Sequence, residues 1–134
     1  MKEKADLVRG WLRKAQSDRV ALEASLSAGA LDVACFHAQQ VAEKYLKAFL
    51  TQAGITFPFT HNLAKLVELC AGADGSFSSL LPVVEPLTPY AVELRYDQEF
   101  WPSLEVATAA RSSAAAVQEF VLARLPAELA ASAS

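Results

Sequence analysis

Between Leu31 and Ala53 the chain runs for 23 residues without a glycine or a proline, and no other stretch limits the fold so strongly. At 3.6 residues per turn it makes about six turns of helix. With 100° between neighbours, Leu31, Ala34, Cys35, Ala38, Val41, Ala42, Tyr45, Leu46 and Phe49 share one wide apolar arc, which has to build the interior. The opposite arc carries Phe36, His37, Gln40, Glu43, Lys44 and Lys47. Gly54 stands where a C-terminal cap belongs.

The rest of the chain reads as helices around this one. Asp6 to about Ala28 is a first helix, with Leu7, Val8, Trp11, Leu12, Ala15, Leu22 and Leu26 in a stripe. The short Gly29–Ala30 link returns the chain antiparallel. Ile55 to Phe59 is a connector, since Pro58 biases Phe57 away from helix. Thr60 is the expected N-cap of a third helix with Leu63, Leu66, Val67 and Cys70 inward. Ala71 to Ser79 reads as a loop. A fourth helix is expected to start between Pro82 and Pro89 and to run through Tyr90, Val92 and Leu94 to about Arg95. Tyr96 to Pro102 is an aromatic, acidic loop. Ser103 caps a fifth helix to Leu125, whose stripe is Val106, Ala107, Ala110, Ala114, Val117, Val121 and Leu125. Pro126 to Ser134 is expected to fray. No strand-like alternation and no internal repeat is visible. The expectation is all-α: one domain over residues 1–134, with its core in 5–125, folded as an up-and-down antiparallel bundle of four or five helices.

Composition removes several function classes. A chain of 134 residues, 53% hydrophobic and 20% charged, can bury a core without a disulfide or metal staple. Its net charge of −3 provides no general basic field for nucleic acid, so such a role needs a local patch. Cys35 and Cys70 form no motif with each other or with His37 and His61, and read as reduced core residues. Met1 to Asp6 is charged and lacks an apolar signal core. No apolar run reaches the ~18 residues of a membrane span. The expected location is therefore the cytoplasm. Phosphate-loop and dinucleotide glycine patterns are absent, as is zinc-ligand spacing, so no cofactor and no metal are expected.

The residues that invite chemistry lie on the polar arc of the second helix. Phe36 there sits among polar and charged neighbours. One explanation is a solvated face with a stray aromatic; the other is a contact face for a partner or a nucleotide. Lys44 and Lys47 are one turn apart and can share a phosphate, while His37 and Gln40 offer hydrogen bonds to a base or sugar. Glu43 precedes Lys47 by four residues, an ion-pair spacing that would occupy part of the patch. On the first helix Arg19 falls near the middle of the apolar stripe. Either its guanidinium snorkels out, or this face meets a carboxylate, for instance across a dimer. Asp18, at the stripe's edge, can orient a lysine or histidine of the second helix.

The segments CFHAQQVAEKYLKAFL (Cys35–Leu50), THNLAKLVELC (Thr60–Cys70) and ELRY (Glu93–Tyr96) together closely resemble the HEPN domain, a family named for nucleotide binding in higher eukaryotes and prokaryotes. The resemblance spans about residues 5 to 124. It implies a helical bundle, usually dimeric, often encoded beside a minimal nucleotidyltransferase in toxin–antitoxin-like pairs. Ribonuclease members carry an arginine followed a few residues later by histidine. Arg95 matches the arginine, but Phe100, Trp101 and Pro102 stand where the histidine should fall. Without that imidazole there is no obvious general base for the RNA 2′-hydroxyl.

Three functions are thereby expected in order. The first is a nucleotide- or RNA-binding module that partners a minimal nucleotidyltransferase, using His37, Gln40, Lys44, Lys47, His61 and Arg95 as nucleotide contacts. The second is a metal-independent ribonuclease toxin with a displaced site, for which His61 and Arg95 are the weak catalytic candidates. The third is a non-catalytic homodimeric scaffold, with Arg19 and Phe36 at the interface.

Overall fold

Gly29 (φ 78°) and Gly54 (φ 71°) both adopt the left-handed conformation, which a side chain would resist, and each ends a long helix. The computed structural model describes residues 3–92 and 96–131. The two long helices are α1 (Lys4–Ala28) and α2 (Leu31–Ala53). They are followed by α3 (Leu63–Ala73), a 3₁₀ segment (Gly75–Leu80), α4 (Leu81–Val84), a second 3₁₀ segment (Glu85–Tyr90), α5 (Leu104–Leu122) and α6 (Ala127–Ala131). No strand occurs among the described residues. The architecture is an all-α helical bundle, as expected.

α2 is its central element, because α1, α3 and α5 all pack along it. Ala34, Cys35, Ala38, Val41, Ala42, Tyr45 and Leu46 are fully buried. Small residues of α5 (Ala107, Ala110, Ala114) let that helix come close. α1 contributes Val8, Leu12, Ala15 and Leu22 to the same core, whereas Leu7 of the expected stripe is 46% exposed.

Several boundaries differ from expectation, each for a local reason. Asn62, not Thr60, caps α3: its side chain accepts the Lys65 N–H at 3.1 Å. Thr60 instead accepts the Asn62 N–H at 3.0 Å, so His61 precedes the helix and is not in its first turn. The expected loop after Ala71 is partly helical, ending α3 at Ala73 before the first 3₁₀ segment. The expected fourth helix is reduced to α4 and 3₁₀ geometry up to Tyr90, since Pro86 and Pro89 lack the N–H an α-helix needs. Leu94 and Arg95 lie outside the described residues. α5 keeps its Ser103 cap but ends at Leu122, with Val106 40% exposed. After Pro126 the chain forms α6, where a frayed tail was expected, because Leu129 is buried against the core.

Cys35 and Cys70 are free and buried. Loss of solvation, with the charge of Asp32 adding to it, pushes the Cys35 thiol up to about 11. Burial pushes Cys70 up to about 12. Neither thiol will react with a thiol-specific reagent at pH 8 in the native protein, and both will react once denaturant is added; time-resolved thiol titration checks this. Leu46→Ala, at a fully buried site, will cost about 2–5 kcal/mol in urea unfolding. Val20→Ala, at a 66% exposed site, will stay within about 0.5 kcal/mol.

Candidate functional site

The polar arc of α2 is not a solvated face. Gln39, Glu43 and Lys47 follow one another at four-residue spacing and are 0%, 3% and 5% exposed. Burial on this scale requires every charge and dipole to be matched. Glu43 Oε1 accepts from Gln39 Nε2 at 3.1 Å and lies 2.8 Å from His61 Nδ1. Its Oε2 accepts from Lys47 Nζ at 3.0 Å. Gln39 also donates to the His61 carbonyl at 3.2 Å, and Gln40 donates to Gln39 Oε1 at 2.6 Å.

Lys47 has aromatic neighbours as well. Its ammonium lies 5.5 Å from the Trp11 ring centre, 5.9 Å from Phe57 and 5.8 Å from Phe59. These distances allow cation–π attraction, which strengthens where water is excluded. Lys47 therefore turns inward, to a carboxylate and aromatic rings, while Lys44 keeps partial access to the surface.

Lys44 belongs to a second cluster on the α1 side. The Asp18 carboxylate accepts from Lys44 Nζ and lies 2.9 Å from His37 Nδ1. Asp18 is only 9% exposed, so it does orient a lysine and a histidine of α2, as its position suggested. The Phe36 ring meets the His37 ring edge-on at 5.1 Å, and both line a cavity of about 160 Å³ with Asp32 and Val33. Arg19 donates to Gln118 on α5 and pairs with Glu23 at 3.6 Å, so the guanidinium has partners within the chain.

The two clusters have the same chemistry. A carboxylate on Nδ1 favours the tautomer with its proton there, which leaves Nε2 of a neutral ring as an acceptor. His61 lines a cavity of about 330 Å³ together with Asn62, Thr88, Pro89, Ala91 and Val92. No grouping suited to a metal ion occurs among the described residues. Arg95 lies outside them; of the residues after it, Phe100 stacks on Tyr90 at 5.5 Å and Trp101 is 74% exposed. Sequence reasoning missed Gln39 and the rings of Trp11, Phe57 and Phe59. The available signal was the Gln39–Glu43–Lys47 row, a run of polar residues one turn apart.

A family model for the HEPN domain matches residues 8–125. The chain belongs to the HEPN domain family. No curated protein and no solved structure matches it. The HEPN match takes in α1 through α5 and so contains both histidine clusters. No helix among the described residues of this HEPN domain is long and apolar enough to cross a membrane.

Because Lys47 is buried, deleting its partner leaves an uncompensated charge. Glu43→Ala will destabilise this HEPN domain by about 3–5 kcal/mol, and adding Lys47→Met will restore most of the loss. Equilibrium unfolding of the two single variants and the double variant measures the coupling.

Proposed function

We propose that this HEPN domain binds a nucleotide or RNA without cutting it. It acts in the cytoplasm as the partner subunit of a minimal nucleotidyltransferase, in a toxin–antitoxin-like pair. One observation carries the reading. His37 and His61 are each held at Nδ1 by a buried carboxylate, and each lines a cavity of its own. Imidazoles fixed in one orientation suit hydrogen bonding to a base or sugar. Lys44 and Arg95 are the phosphate contacts in this reading, and Lys47 serves by holding Glu43. The domain works as a homodimer, which the family resemblance implies; Phe36 and Arg19 are the interface residues in this reading, although Arg19 is already paired with Glu23 and Gln118 of its own chain.

The ribonuclease reading has its own support in the Glu43–His61 pair, since a carboxylate-held imidazole is the arrangement of a general base. It requires RNA cleavage in the presence of a chelator, lost in His61→Ala. RNA that stays intact on prolonged incubation removes it.

Calorimetric titration of ATP and of a dinucleotide tests the first reading. The wild type will bind, and Lys44→Ala will weaken ATP by about tenfold or more through loss of a charged hydrogen bond. Absence of binding by the wild type leaves the homodimeric scaffold.

A further inference from the structure

Two clefts adjoin where the start of α3 meets the second 3₁₀ segment. The first, of about 330 Å³, is the one lined by His61, Asn62 and Thr88. The second, of about 720 Å³, shares Thr88 and Pro89 with it and extends past Ala64 and Leu81 to Glu85. Small-molecule sites fall in a range of about 300–1,000 Å³ and combine apolar lining with a few placed polar groups.

The polar groups of the first cleft each have a defined remaining capacity. Glu43 lies 2.8 Å from His61 Nδ1, which favours the proton there and, in a neutral ring, leaves Nε2 to accept. Asn62 Oδ1 is committed to the Lys65 N–H at 3.1 Å, which leaves the amide NH₂ to donate. Thr88 Oγ1 donates to the Val84 carbonyl at 3.4 Å and keeps its lone pairs. The remaining lining, Pro89, Ala91 and Val92, is apolar. Among the described residues neither cleft is lined by a lysine or an arginine, and Glu85 brings a negative charge to the second. A phosphate entering either cleft would meet no cation from these residues and one carboxylate. An uncharged heterocycle with donors and acceptors on its edge meets complementary groups.

We propose that the first cleft takes the base of a nucleoside, with the sugar towards the second cleft and any phosphates outside both. His61 Nε2 accepts from an exocyclic amine or ring N–H, and the Asn62 amide donates to a ring nitrogen or carbonyl. Glu85 accepts from ribose hydroxyls, a role carboxylates commonly take towards this sugar. Glu43 is a positioning residue that sets the ring of His61. The inference rests on the nucleotide-binding reading and adds which part of the ligand is held here.

The full chain is titrated with adenosine, ATP and inorganic pyrophosphate while the imidazole resonances are followed by NMR. With only two histidines in the chain, a His37→Gln variant assigns them. Adenosine is expected to shift the His61 signals and to bind more weakly than ATP by about the tenfold that the Lys44 phosphate contact contributes, while pyrophosphate leaves those signals in place. Thr88→Trp, a filled cleft at an exposed position, is expected to weaken adenosine by about tenfold or more. ATP binding without adenosine binding, unchanged in Thr88→Trp and lost in Lys44→Ala, overturns the inference and leaves the nucleotide-binding reading standing. If neither adenosine nor ATP binds the wild type, both fall.

Discussion

A carboxylate buried inside a helical bundle has few ways of remaining charged, and Glu43 uses nearly all of them. It lies between an ammonium, an amide and an imidazole, on the helix that every other long element packs against. The lysine that balances it is itself kept from water by aromatic rings. Replacing such a group with an apolar side chain of similar volume often leaves stability unchanged or improves it. Glu43 ties the connector after α2 to the helix itself, through a contact on the side chain of His61 and a Gln39 bond to the His61 carbonyl.

α1 repeats the device with Asp18, which binds a histidine and a lysine of α2 on another flank. α2 therefore has an apolar arc against the core and polar residues that are engaged with neighbours. The first arc fixes where the helices lie. The polar contacts fix how α2 is rotated and where the two imidazoles point. Further from α2, Arg124 lies over Phe120 at 3.4 Å and pairs with Asp74 at 3.3 Å, which ties the end of the fifth helix to the turn after α3. The Asp74 carboxyl is held below its usual range, mainly by hydrogen bonds from Ser76, with the guanidinium adding to the effect.

What could be read from the sequence was whatever depends on backbone punctuation and apolar spacing. Gly29 and Gly54 mark the ends of α1 and α2, and Ser103 marks the start of α5, because each meets a local need of the backbone. The fourth helix expected to start between Pro82 and Pro89 and to reach about Arg95 is a short α-helical turn and 3₁₀ geometry up to Tyr90, since prolines that merely delay a helix and prolines that break it look alike in a linear pattern. The side-chain sites were less legible. Periodicity assigns charged residues to solvent and so puts Glu43 and Lys47 on an outer arc, although their partners bury them. Arg19 and Asp18 exchanged places for the same reason: Asp18 is drawn inward by His37 and Lys44, which come from a different helix. No rule of spacing within one helix contains that information. The HEPN resemblance supplied the family where periodicity supplied only a bundle.

The rings around Lys47 also bear on how ready the molecule is to meet a ligand. Phe57 comes from the connector that leads into His61 and packs against Trp11 of α1, while Phe59, 93% exposed, lies at the outer edge of the group. The connector is thus clasped to two helices before anything arrives. The entropic cost of ordering it is met when the chain folds, so an incoming molecule need not supply it. The arrangement also gives Trp11 an influence beyond its own packing, since loosening that ring would slacken the segment on which a distant imidazole is mounted.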